Sequence, residues 1–202
     1  MGLKIGIMGG SFNPIHNMHL LMGEMAYEEF GLDKVLIMPL KTPYFDNKKL
    51  SSGIKDEDRV SMIKRAIAAN PHFEFSDLEL KREGVTYTVD TLESLHASAP
   101  ENEYYFICGA DSLFGLERWY RAERIMELAT IIAASRDDAN DKIDGQVEYL
   151  NQKYQARIFK LDSPNLEISS SYIRNRVGEG KSCRYLVPDS VYDYIKEHNL
   201  YE

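Results

Sequence analysis

The sequence predicts a doubly wound, mostly parallel α/β sheet built as one domain. Three observations carry that expectation. Short apolar runs of strand length alternate with longer stretches of helical period, the pattern of repeated βαβ units. The first run ends at Gly9-Gly10 and leads into an amphipathic helix. Polar residues able to do chemistry follow the strand-like runs, at the carboxyl ends of a parallel sheet, where such folds bind ligands.

In chain order, Leu3, Ile5 and Ile7 alternate with Lys4 and Gly6 and continue into Met8, which reads as a buried strand. Gly9 and Gly10 are expected to end it in a turn where the backbone can approach a ligand closely. Met18, Leu21, Met22, Met25 and Ala26 then form the apolar stripe of a first helix, closed by Gly31. Val35 to Met38 is a second buried strand, followed by a long polar loop from Pro39 to Lys55. A helix from Asp56 to Asn70 buries Val60, Ile63 and Ile67 and stops at Pro71. Phe73 to Phe75 is a third strand, and Thr88 is placed to cap a helix holding Val89, Leu92 and Leu95. Tyr104 to Cys108 and Thr130 to Ala134 are further strands, with two short helices between them around Trp119-Tyr120. Ile143, Val147, Leu150 and Tyr154 mark a helix, and Arg157 to Leu161 a last strand. Ser169 to Val177 reads as a helix, and Pro188 as the first residue of a terminal one.

A net charge of −8 argues against a general nucleic-acid or anionic-membrane surface, while leaving room for a local phosphate pocket. Cys108 and Cys183 have no metal-ligand spacing, so reduced, cytoplasmic thiols are expected, with Cys108 acting as a buried small hydrophobe. No apolar run approaches membrane-spanning length. In a chain of 202 residues one domain is the simplest division, and the last part, from about residue 165, belongs to the same unit.

The strand, glycine turn and helix start make a natural anion site, and His16 and His19 lie three residues apart where that helix begins. The glycine spacing is neither the fingerprint of dinucleotide-binding oxidoreductases nor a P-loop. A second constellation is Ile168-Ser169-Ser170-Ser171-Tyr172-Ile173-Arg174. Serines at a helix start and an arginine one turn later suit triphosphate oxygens, although a plain serine cap with a solvated arginine would look the same.

Gly-Gly-Ser-Phe-Asn-Pro-Ile-His, from Gly9 to His16, together with His19, resembles the nucleotidyltransferase superfamily signature. Its longer form is similar to bacterial nicotinate-nucleotide adenylyltransferases. The serine-arginine segment matches a second motif of that superfamily. Met18 departs from it, standing where the family carries glycine. The resemblance implies a Rossmann-like nucleotidyltransferase fold, with the part after residue 165 completing the ATP site. It also implies transfer of AMP from ATP to nicotinic acid mononucleotide, with Mg2+ accompanying the ATP.

By the same resemblance His16, His19 and Arg174 are the catalytic set. ATP would meet Gly9, Gly10, Ser11, Phe12, Gly109, Asp111, Ile168, Ser169, Ser170 and Ser171 as well. The mononucleotide would meet Ser11, Lys41, Thr86, Tyr87, Thr88, Trp119 and Tyr120, with Trp119 stacked on the pyridine ring. Arg59 lies in a family-like helix but reads as a surface ion pair without a catalytic role. Phe45 occupies the place of a family histidine, so Lys41, Lys48 or Lys49 is expected to replace that phosphate contact. Alternatives kept open are another acceptor (nicotinamide mononucleotide or phosphopantetheine), a catalytically silent nucleotide sensor, and a homodimeric assembly.

Overall fold

The computed structural model describes residues 2–41, 54–135, 140–164 and 166–202. Its centre is one six-stranded sheet in the order β3-β2-β1-β4-β5-β6. The strands are β1 (Lys4–Gly10), β2 (Lys34–Pro39), β3 (Phe73–Phe75), β4 (Glu103–Gly109), β5 (Thr130–Ala134) and β6 (Ile158–Leu161). Every pairing is parallel, so "mostly parallel" becomes wholly parallel. The order reverses between β1 and β4, which opens a crevice at their carboxyl ends.

The helices are α1 (Asn17–Phe30), α2 (Asp56–Ile67), α3 (Thr88–Ser98), α4 (Ala110–Gly115), α5 (Ala122–Leu128), α6 (Asn140–Tyr154), α7 (Ser170–Gly178) and α8 (Asp189–Glu197). A 3-10 turn, Leu116–Arg118, follows α4 and leads into Trp119 and Tyr120. Alternation along β1 divides the apolar residues between two cores. Met8 joins the one formed with Met18, Met22, Met62, Ile173 and Val191, and Ile5 and Ile7 join the one formed with Leu92, Ile125 and Leu150. Because both faces are covered, the central strands read as continuous apolar runs.

Several local expectations shift. Gly9 and Gly10 are the last rungs of β1, paired with Met38 and Pro39, so the turn begins at Ser11, two residues later than glycine content suggested. Tyr87, not Thr88, holds the cap position of α3, and Thr88 is its first helical residue. Pro188 caps α8, which starts at Asp189. The buried face of α2 is Arg59, Met62, Ile63 and Ile67, with Val60 only half-buried. Arg59 is therefore no surface residue: it is fully buried, although it does pair with the half-exposed Asp56 at 2.6 Å. The alternation pattern could not see this, because an arginine counts as polar until its partners are known.

Candidate active site

The loop between β1 and α1 is the centre of the site. Phe12 has a left-handed backbone (φ 44), while its ring is buried at 1% exposure beneath Gly10. A Cβ on Gly10 would come within 3.3 Å of that ring, so any larger residue there would press on it. Burial of the aromatic ring offsets a backbone conformation that costs about 1–2 kcal/mol for an L-residue. Phe12 thus keeps its side chain for the core, so only its main chain could meet a ligand.

His16 occupies the N-cap position of α1 and His19 its third helical position. Their rings stack at 3.6 Å between centroids, and the His16 backbone N–H donates to His19 Nδ1 at 3.2 Å. That bond leaves the proton of a neutral His19 on Nε2, the orientation a phosphate oxygen would need. Phe12 meets the His19 ring edge-on at 5.0 Å and fixes its tilt. Met18 is 1% exposed within the core, so the departure from the family glycine packs inward.

The last part of the chain closes over this loop. Arg174 Nη1 donates to the Asn13 carbonyl at 2.8 Å, Ser170 Oγ to the Pro14 carbonyl at 2.9 Å, and the Tyr201 hydroxyl to Asn13 Oδ1 at 2.7 Å. Burial pushes the Tyr201 hydroxyl well above the ordinary tyrosine range, so it stays a donor. Ser169 caps α7 by accepting from the Tyr172 amide at 3.2 Å. The first-turn amides of Ser170 and Ser171 have no intrahelical acceptor and are oriented for an anion. Ile168 is buried and anchors the segment. At α1 the Asn17 amide is instead taken by the Leu186 carbonyl at 3.0 Å, so that helix start contributes imidazoles rather than its first amide.

From the other side Arg59 braces the same loop. Nη1 donates to the Ser11 carbonyl at 2.6 Å, and Nη2 to the Leu40 carbonyl at 2.8 Å. One guanidinium thereby sets the spacing between the ends of β1 and β2, a positioning role that the sequence reading missed. Lys41, next to Leu40, is exposed at this rim. Phe45, Lys48 and Lys49 lie outside the described residues.

Across the crevice, Gly109 ends β4 and caps α4, and Asp111 stands exposed in the first turn of that helix. Among the described residues no group of three or more His, Cys, Asp or Glu is gathered to hold a metal ion. Cys108 is buried, which pushes its thiol up to about 12, so it behaves as a hydrophobe.

Trp119 lies half-buried, edge-on to Phe106 at 5.7 Å. It walls a small cavity of ≈ 70 Å³ that Gly9, Leu40 and Thr88 also line. Tyr87 and Tyr120 pack together at 4.5 Å, with Tyr120 exposed, and Thr86 is buried. The Trp119 turn is tied to α6 through Glu117, whose Oε1 accepts from Lys153 and from the Tyr154 hydroxyl, each at 2.8 Å. Lys153 and Tyr154 hold the Glu117 carboxyl below its usual range. Glu79, also in the cavity wall, was not anticipated. It lies between Leu78 and Leu80, outside any helix or strand, and no local pattern distinguishes it from a surface acid.

The structure thus brings the phosphate-binding candidates of α7 against the 11–19 loop. The pyridine-binding candidates surround the Trp119 cavity, and Gly9 belongs to both groups. A cytidylyltransferase-like family model matches residues 7–176. A protein of Lachnoclostridium phytofermentans named "probable nicotinate-nucleotide adenylyltransferase" is 50% identical over 199 residues, covering 98% of each chain. One from Synechococcus with the same name is 43% identical, over 98% of this chain and 94% of its own. In structure the chain resembles Plasmodium falciparum nicotinic acid mononucleotide adenylyltransferase complexed with APC. The TM-score is 0.78 at 20% identity, over 98% of this chain and 97% of that one, a likeness that bears on the fold alone. The relatives bear one name and match this chain nearly end to end, and the chain belongs to the nicotinate-nucleotide adenylyltransferase family of nucleotidyltransferases.

Proposed function

We propose that this protein transfers the adenylyl group of ATP to nicotinic acid mononucleotide, forming deamido-NAD and releasing pyrophosphate. The observation that carries the reading is the convergence of the His16–His19 stack and Arg174 on one loop. Relatives at 50% and 43% identity bear the name of this activity. A Plasmodium falciparum homologue of the same fold, at TM-score 0.77, was solved complexed with NaAD.

The mononucleotide phosphate is already ionised near neutral pH and attacks the α-phosphorus in line, so no strong general base is required. Catalysis consists of holding two anions together and stabilising charge on the transferring group. His19 donates from Nε2 to the α-phosphate, and His16, stacked behind it, fixes the ring. Arg174 and the first turn of α7 hold the β,γ-phosphates that depart as pyrophosphate. Trp119 offers an aromatic face to the pyridine ring, and Lys41 a cation at the mononucleotide rim. Asp111, exposed in the first turn of α4, would be the carboxylate to hold a Mg2+ accompanying the ATP. When bound, that metal neutralises charge on the phosphates.

The test is pyrophosphate release from Mg-ATP with nicotinic acid mononucleotide, nicotinamide mononucleotide and phosphopantetheine in parallel. Turnover fastest with the first supports the reading. Retained ATP binding without turnover on any acceptor would replace the enzyme with a nucleotide sensor.

A further inference from the structure

We propose that Tyr201 is a positioning residue for the polyphosphate contact: its hydroxyl satisfies the Asn13 side chain and so keeps the Arg174 guanidinium available to the ligand. This inference rests on the adenylyl-transfer reading above, in which Arg174 meets the β,γ-phosphates.

Asn13 is 3% exposed, and the last part of the chain supplies a donor to each of its oxygens. The Tyr201 hydroxyl donates to Oδ1 at 2.7 Å, and Arg174 Nη1 to the backbone carbonyl at 2.8 Å. Burial raises the pKa of that hydroxyl and the nearby Arg174 charge draws it down, so guanidinium and hydroxyl lie close together. With the hydroxyl removed, Oδ1 becomes a buried acceptor in need of a donor, a costly state. Arg174, already bonded to the same residue, is placed to supply one. A guanidinium turned to Oδ1 has fewer N–H groups left for phosphate, because its five donors lie in one rigid fork. Arg59 also lies near the hydroxyl, but bonds to Ser11, Leu40 and Asp56 fix its fork.

The segment that carries Tyr201 is held in place independently of Asn13. Asn199 and Tyr201 have left-handed backbones (φ 49 and φ 70), which persist for L-residues only where the surroundings enforce them. Between them Leu200 is buried, and its amide donates to the Ile195 carbonyl at 3.0 Å. Lys196 pairs with Glu202 at 2.6 Å. This turn lies against the end of α7, where a Cβ on Gly178 would stand 3.4 Å from the Tyr201 carbonyl oxygen. The same helix carries Arg174, so hydroxyl and guanidinium reach Asn13 from one docked unit.

The experiment measures Kd for Mg-ATP and for AMP by isothermal titration calorimetry, with wild type, Tyr201→Phe, Arg174→Ala and the double variant. Tyr201→Phe keeps the ring and removes the hydroxyl alone, and a melting temperature is recorded for each protein. In Tyr201→Phe, Kd for ATP is expected to rise about tenfold, and Kd for AMP, which lacks the β,γ-phosphates, to change less than about twofold. Arg174→Ala leaves no guanidinium to divert, so adding Tyr201→Phe to it should raise Kd for ATP less than about twofold further. In the transfer assay, kcat/KM for ATP should fall about tenfold in Tyr201→Phe while KM for nicotinic acid mononucleotide holds. An unchanged Kd for ATP, an equal rise for AMP, or the full effect retained beside Arg174→Ala overturns the assignment. Tyr201 would then be a packing residue that moves the melting temperature. Wild type that binds ATP but turns over no acceptor overturns the adenylyl-transfer reading, and the ATP and AMP titrations still decide this inference.

Discussion

Arg174 Nη1 sits 2.8 Å from the backbone oxygen of Asn13, 161 residues earlier in the chain. The contact commits one arm of the guanidinium to the 11–19 loop. The same side chain thus holds the loop that carries the histidines, and in the adenylyl-transfer reading it would also meet the phosphates.

Arg174→Ala should lower kcat/KM for ATP by about 10²-fold, the scale of one lost charge-stabilising donor. It should also lower the melting temperature by a few degrees, because the Asn13 carbonyl loses a charged donor worth roughly 1.5–3 kcal/mol. Arg174→Lys should restore part of the stability and little of the rate, since an ammonium cannot bridge carbonyl and phosphate together. Steady-state kinetics with thermal denaturation separates the two effects.

His19→Ala should reduce kcat by about 10²-fold, or 2.7 kcal/mol, with a small change in melting temperature because the ring is only half-buried. His16→Ala should cost stability as well, since that ring is 2% exposed. Normal turnover by a folded His19→Ala enzyme would remove His19 from the mechanism.

Arg59→Met keeps the bulk but strips the Ser11 and Leu40 carbonyls of their donor. A loss on the order of 3 kcal/mol is expected in urea denaturation. KM for both substrates should rise, because the ends of β1 and β2 are no longer held at a fixed spacing.

Trp119→Ala should raise KM for the mononucleotide up to about tenfold and leave KM for ATP near its starting value; Trp119→Phe should recover most of the difference. Equal effects on both substrates would show that the ring is packing rather than recognition.

Stability should depend on Glu79 with a sign opposite to that of a salt-bridged acid. Its folded value, about 7, lies above its ordinary 4.5, so between those values the native state binds more protons than the unfolded chain. Stability is full below about pH 4.5, falls as pH rises, and has lost about 3 kcal/mol above pH 7. Glu79→Gln should therefore be more stable than wild type at pH 8 and close to it at pH 5, as measured by urea denaturation at both pH values.

The sequence was most informative where chemistry is local. Gly9 to His19 and Ile168 to Arg174 are contiguous segments whose residue types and spacing are themselves the signal, and the structure brings them to one loop. Strand and helix order was readable because each element buries apolar residues at its own period. Arg59 and Glu79 were not readable. Each carries a charge that reads as solvated surface, and each becomes buried only when other segments close on it, Ser11 and Leu40 on the first, Thr91 on the second. Met18 is the converse case: a departure from a motif on paper, and ordinary core in three dimensions.

The Tyr201 hydroxyl on Asn13 spans 188 positions of sequence, so the ribosome makes the two partners far apart in time. The outer brace of the histidine loop is thus made long after the loop itself. A nascent chain can pair β1 with β2 early, but it cannot shape a nucleotide cradle until α7 and the residues beyond α8 have emerged and docked. The proposed adenylyl transfer would therefore wait until that segment has docked, and clipping after α8 should abolish it while sparing the sheet.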